Sequence, residues 1–225
     1  MPHLHVHTHF SFGIGVSSPE VLATAAAERG CAELACTDTN GVYGAVEFQQ
    51  ACEAVGMRPM LGAHLVTDAE ETVALATDAR GWGALCRAIT RIHWSDDRLS
   101  ASLAPDRDGL ILLSRDPAFL ERVLRLSGPR DLYAELQPGK ERHAVLAEAR
   151  RLGLPTAVTN AVVMAHPEDW TRHRLLRAIH LNTTLSALTD HPTVRPSDRP
   201  TVRSSDRPTV RPSDRPTVRS SDRRT

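Results

Sequence analysis

From Pro19 to His180 the chain alternates short apolar runs with helical segments, and Gly, Pro or polar turns separate them. The segment SSPEVLATAAAERG carries a complete set of helix signals: Ser18 as the cap, Pro19 at the first position, Glu20 in the first turn and Gly30 just past the end. CAELACTD, MRPMLGAHLV, GLILLS, DLYAELQ and LPTAVTNAVVM read as strands. NGVYGAVEFQQACEAVG, GWGALCRAITRIHW, PAFLERVLRL, RHAVLAEARRLG and PEDWTRHRLLRAIH read as a turn with a helix, or as helices, between and after them. Short buried strands alternating with helices imply an α/β fold with a parallel sheet or barrel. About six or seven such units in this length fit a closed barrel better than an open sheet, and no GxGxxG fingerprint argues for a dinucleotide fold.

The opening HLHVHTHFSF places His3, His5, His7 and His9 at every second position. In an extended strand all four would project from one face, with Leu4 and Val6 on the other, and a row of imidazoles is a set of metal ligands. Chemistry in such barrels gathers where strands end, and the polar residues there are His7, His9, Asp38, Asn40, His64, Glu135, Gln137 and Asn160. Imidazole and carboxylate converging from several strand ends suit zinc, manganese or iron and would activate water for phosphoester hydrolysis. His166, His173 and His180 recur every seventh residue near the last helix and are expected to be exposed. Trp82, Trp94 and Trp170 are expected to pack.

The blocks HLHVHTHFSF, LACTDTNGVYGAVEF, MLGAHL, GWGALCRAIT, YAELQ and LGLPTAVTNAVVMAHPEDWTRHRLLRAI occur in this order over about residues 3–186. In order and spacing they resemble the PHP (polymerase and histidinol phosphatase) domain at the N-terminus of bacterial DNA polymerase III alpha subunits, above all the error-prone alpha-type polymerases. The resemblance implies a distorted (β/α)7 barrel with a metal cluster at its strand ends. Members with intact sites support phosphoesterase or proofreading exonuclease chemistry, and those that have lost ligands act as structural and partner-docking modules.

Measured against that pattern, His5 and His7 retain the HxH pair. Ile14 stands where the pattern has an Asp, Thr39 where it has a His, and His64 where it has a Glu. Ala161 and Val163 replace an Asp and a His in the block that begins at Thr159 and Asn160. The remaining donors allow either no metal or one divalent ion, zinc or manganese, on His5, His7 and His64, with Asp38 as a fourth ligand or as the carboxylate that orients an imidazole. The expectation is therefore a PHP-type domain over residues 1–186, noncatalytic as this chain, in the context of polymerase or replisome partners. A phosphoesterase with a reduced metal site is the alternative.

Residues 187–225 are expected to form a disordered tail. From Pro192 it consists of PTVRPSDR and PTVRSSDR octads, each with one aliphatic residue and at least one Pro. Nine Arg and four Asp give residues 192–225 a balance of +5, so the remaining chain stands at −5 and the whole at zero. Such a tail can hold nucleic acid weakly and without sequence preference, which makes a nucleic-acid-binding accessory protein a third reading. Translated repetitive DNA in a truncated polymerase gene accounts better for repetition this regular, because an Asp in every octad offsets about half of the Arg charge. Cys31, Cys36, Cys52 and Cys86 lack CxxC spacing and read as small buried thiols. No apolar run reaches the ~20 residues of a membrane span and the first residues lack a signal-peptide pattern, so the expectation is a cytoplasmic protein with no membrane partner.

Overall fold

The computed structural model describes residues 2–95 and 97–188. Helix α1, Pro19–Glu28, begins where its signals place it: the Ser18 hydroxyl accepts from the Val21 amide at 3.4 Å, and Pro19 fills a position whose N–H would lack an intrahelical partner. Strand β1, Glu33–Thr39, connects through α2, Ala45–Ala54, to the parallel strand β2, Arg58–Val66. The same parallel unit recurs later in β4, Leu110–Ser114, α5, Pro117–Ser127, β5, Leu132–Leu136, α6, Arg142–Leu152, and β6, Thr156–Val158. A short 3-10 turn, Pro167–Asp169, leads into α7, Trp170–His180.

Between β2 and β4 lies a strand that the patterning does not show. Strand β3, Glu71–Ala76, runs antiparallel to both neighbours, and α3, Ala79–Trp94, with the short α4, Leu99–Leu103, carries the chain on to β4. The six strands thus form one sheet in chain order, and the parallel pattern is interrupted at β3. The turn before β3 closes on itself: the Thr67 amide and hydroxyl donate to the Glu70 carbonyl, and the Glu70 amide donates to the Thr67 hydroxyl. Acidic residues that read as loop are buried here because each has a partner. The Glu70 carboxylate accepts from the Ser100 amide at 2.7 Å and the Ser100 hydroxyl at 2.8 Å, and pairs with Arg122 at 2.8 Å.

Residues 3–7 complete the ring. On one side the Ala35 amide donates to His3 O and the Thr37 amide to Val6 O; on the other, His7 N donates to Val162 O and Val162 N to His5 O. The opening segment therefore fits between β1 and the stretch after β6, as a seventh stave. It is not the uninterrupted strand the alternation implies. The backbone bends at Leu4 and His5, leaving only isolated bridges at His3 and Val6. As a result Leu4 packs with Val73, Leu75 and Leu113, whereas Val6 packs with Leu22, Phe48 and Cys52 on the α1–α2 side. The row of four imidazoles is broken accordingly: His5 and His7 are buried, His3 is half-buried and His9 is exposed.

A larger apolar cluster fills the space between the sheet and the helices α3–α6, with Leu65, Leu85, Leu112, Phe119 and Leu132 at its centre. Trp82 packs against this cluster, but Trp94 is 88% exposed at the end of α3 and does not serve as a packing residue. Cys36 and Cys52 are buried and Cys31 and Cys86 half-buried. Among the described residues no helix is long and apolar enough to cross a membrane. The octads, with the disorder and nucleic-acid binding expected of them, lie outside the described residues.

Because Glu70 ties the β2–β3 turn to both α4 and α5, Glu70→Ala strands a buried hydroxyl, an amide and a guanidinium. The substitution is expected to cost about 3 kcal/mol, read as a lower urea midpoint with an unchanged slope.

Candidate metal centre

Three imidazoles meet at the strand ends. His5 and His7 come from the seventh stave and His64 from β2, where it stands opposite Val73 of β3. Ring centroids are 5.0 Å apart for His5 and His7, 4.6 Å for His5 and His64, and 5.4 Å for His7 and His64. One nitrogen from each ring lies within 4.8 Å of the others, and all three residues are buried. Among the described residues this is the one such cluster of His, Cys, Asp or Glu.

The surrounding hydrogen bonds fix two of the three tautomers. His5 Nδ1 lies 2.7 Å from Glu135 Oε1, and an ionised carboxylate can only accept, so Nδ1 carries a proton. The Ser11 hydroxyl donates to Asp38 Oδ1 at 2.6 Å, leaving its oxygen to accept from the Thr39 amide at 3.1 Å and from His7 Nδ1 at 2.9 Å. His7 Nδ1 is therefore protonated as well. Neutral His5 and His7 then present unprotonated Nε2 atoms to each other at 3.0 Å. Two lone pairs do not face each other at that distance unless a proton or a cation lies between them. Two nitrogens on one tetrahedral zinc ion, each ~2.0–2.1 Å from it, stand about 3.3–3.4 Å apart, close to the spacing seen here.

His64 shows the same unmet demand. Its Nδ1 is buried without a hydrogen-bond partner, and its Nε2 is 3.6 Å from Glu71 Oε2, an electrostatic contact too long for a hydrogen bond. Glu71 Oε1 accepts from Arg115 Nε at 2.7 Å, while Oε2 and the buried Thr39 hydroxyl lack hydrogen-bond partners. An ion bound by imidazole nitrogens fits these residues. A carboxylate behind His5 and a hydroxyl–carboxylate pair behind His7 are the outer contacts that orient metal-bound histidines.

Asp38 does not join the three rings. Both its oxygens are taken, by the Thr8 amide at 2.7 Å, the Thr8 hydroxyl at 2.8 Å and the Ser11 hydroxyl, and it reaches His7 only through Ser11. Strand alternation is the cause: Asp38 shares a face with Leu34 and Cys36, which pack toward α1 and α2, and Cys36 Sγ lies 3.4 Å from Asp38 Oδ2. Glu135 orients His5 directly, as Asp38 orients His7 through Ser11, and its Oε1 also accepts from Thr159 Oγ1 at 2.6 Å. Neither Ser11 nor Glu71 stood out in the sequence as part of a site. An alternation count from His64 through the β2–β3 turn would have been needed to find Glu71.

The positions that depart from the pattern hold what their side chains imply. Ile14 and Val163 are buried apolar groups, and Ala161 sits in a left-handed turn at φ 44°. Thr39 offers one hydroxyl. Burial, and then the neighbouring rings of His5 and His64, push His7 well below its ordinary range. Burial lowers His64 too, although Glu71 opposes it. For Glu135, burial works upward but is outweighed by electrostatic attraction to His5 and by hydrogen bonds from His5, Thr159 and Gln137, so its carboxyl is held at about 2.

Residues 3–152 match the PHP domain family. The chain belongs to that family. This PHP domain is 34% identical over 173 residues to the error-prone DNA polymerase of Anaeromyxobacter sp. strain K, an alignment covering 65% of the chain and 15% of that polymerase. It is 27% identical over 223 residues to the DNA polymerase III subunit alpha of Bacillus subtilis, covering 84% of the chain and 20% of the subunit. It thus spans about a fifth or less of the length of these relatives. The PHP fold is also that of a Bifidobacterium adolescentis protein assigned as a metal-dependent phosphoesterase, at a TM-score of 0.50 and 15% identity over 74% of this chain and 89% of the other.

In metal-free protein, folded His7 and His64 hold fewer protons than the unfolded chain does near and below the ordinary histidine value of 6.5. Their depressed values make stability complete above about pH 6.5 and reduce it as pH falls; Glu135 adds a further loss from about pH 4.5 toward 2. The urea midpoint is expected to decline between about pH 7 and pH 5, and His7→Gln to flatten that decline.

Proposed function

We propose that this chain is a polymerase-type PHP domain whose centre has contracted to one divalent ion, held by His5, His7 and His64, and that it works as a noncatalytic structural and docking module of a DNA polymerase assembly. The observation that carries the reading is the 3.0 Å approach of two Nε2 atoms whose opposite nitrogens are both tied down as donors. An all-imidazole set suits zinc, and manganese, which prefers oxygen ligands, less. The relatives supply the polymerase context: this domain matches the error-prone polymerase and the DNA polymerase III alpha subunit.

A zinc ion held by His5, His7 and His64 would supply a Lewis acid and a position for water. Around it most of the protein's carboxylate oxygens are already committed. Asp38 accepts from Thr8 and Ser11, Glu135 from His5 and Thr159, and Glu71 from Arg115. Neither Asp38 nor Glu135 can bridge a second ion or take a proton from water without losing an orienting contact; Glu71 keeps one oxygen, Oε2, without a hydrogen-bond partner, 3.6 Å from His64 Nε2. Access favours the second reading, a reduced phosphoesterase: a cavity of about 370 Å³ reaches His64 and another of about 540 Å³ reaches Glu135.

Elemental analysis of protein prepared without a His tag tests the centre. About one equivalent of zinc is expected in the wild type and none in His5→Ala/His7→Ala; a metal-free wild type that also fails to take up added zinc overturns the reading. Hydrolysis of bis(p-nitrophenyl) phosphate by zinc- or manganese-loaded protein separates the two functions. Equal background rates in the wild type and the double variant are expected, and turnover lost only in the variant would establish the phosphoesterase.

A further inference from the structure

The seven-residue spacing of His173 and His180 has a use in the folded chain. His173 lies on α7, beyond the residues matched to the family, and is 2% exposed instead of facing solvent. Its Nδ1 donates to the carbonyl of Ile14 at 2.8 Å, and its ring stacks on Trp170 with centroids 5.6 Å apart and planes 26° from parallel. Two turns further along the same helix, His180 packs against Gly13. A side chain on Gly13 would bring a Cβ to 2.5 Å from His180 Cβ, and the glycine's φ of 74° already disfavours any other residue. His166 is excluded from this face because it precedes the 3-10 turn.

Both contacts fall on one loop. Within it the Ser11 amide donates to Thr8 O at 3.0 Å, and the amides of Ile14 and Gly15 donate to Ser11 O at 2.9 and 3.0 Å, so the backbone of residues 8–15 is gathered around Ser11. The Ser11 hydroxyl is the group that accepts from His7 Nδ1. The path runs from α7 to the Ile14 carbonyl, through the backbone to Ser11, and from its hydroxyl to the His7 ring.

We infer that His173 is a positioning residue for His7: by holding the Ile14 carbonyl from α7, it fixes the turn whose Ser11 hydroxyl selects the His7 tautomer and aims Nε2 at His5 and His64. The consequence for metal binding rests on the one-ion reading above; the effect on the His7 ring does not. Packing alone would be served equally by an apolar ring at position 173. What the imidazole adds is an N–H placed three bonds from Cα, and asparagine carries a donor at the same remove.

Two variants therefore divide the roles. His173→Phe keeps a ring beside Trp170 and removes the donor, whereas His173→Asn keeps the donor and removes the ring. In metal-free protein labelled with 15N in its imidazoles, His7 is expected to hold the Nδ1–H tautomer in the wild type and in His173→Asn, and to mix tautomers in His173→Phe and in Ser11→Ala. Cobalt(II), titrated as a spectroscopic substitute for zinc, is expected to bind His173→Phe about tenfold or more weakly with an altered visible spectrum, and His173→Asn within about threefold of the wild type. A Phe variant equal to the wild type in tautomer and spectrum overturns the inference, as does an Asn variant impaired while the Phe variant is not. If the wild type binds no cobalt, the one-ion reading fails and the His7 tautomer alone decides the positioning role.

Discussion

Two backbone edges grip residues 3–7, and the strand-end chemistry depends on that grip. The segment has no helix or hairpin of its own; its order comes from amides and carbonyls shared with β1 on one side and with Val162 on the other. Because the β1 contacts involve residues just before Asp38, and Val162 lies three residues after Thr159, closing the ring brings His5 to Glu135 and His7 to the Asp38–Ser11 pair. A loss of ring closure would separate ligands and orienting groups together, since they lie on different staves.

Each buried carboxylate at the strand ends has local partners. Glu135 faces His5, Glu71 faces Arg115 and His64, and Glu70 faces Arg122 with Ser100. Each carboxylate is thereby kept ionised in a place where an isolated one would be costly. The same pairing restricts the chemistry of Glu135 and Glu70, for an acid already accepting from its neighbours cannot also serve as a mobile base; at Glu71 only Oε1 is so held. That restriction separates a centre able to hold an ion from one equipped to use it.

Much of the architecture could be read directly from the residues. The cap at Ser18–Pro19, the short apolar strands and the amphipathic helices α3 and α5 follow local rules that tertiary contacts do not override. Strand β3 escaped because its identity is tertiary: Glu71 and Thr72 look like loop until Arg115 and the Leu113 carbonyl are placed beside them. The candidate site was half legible. His5, His7 and His64 are brought together, but strict alternation along His3–His9 fails at the bend, and Asp38 is turned away by the same two-residue period that identified β1 as a strand. Glu135 could be named as a strand-end acid, yet its pairing with His5 spans 130 positions and no local pattern encodes it.

The reversed direction of β3 has a consequence for how this rim can change. Every parallel strand delivers its last residues to the rim, whereas β3 delivers its first, so Glu71 reaches His64 across the turn that starts at Thr67. The length of that turn is thus a gear that sets which β3 side chain meets the histidines. One added residue would move β3 by one step and exchange its faces, turning Val73 and Leu75 outward and presenting Thr72 and Ala74 to the interior. Insertions that surface loops elsewhere in the chain could absorb would here replace a carboxylate beside His64 with a neighbour of different chemistry, and the floor of the barrel would lose its apolar lining in the same step.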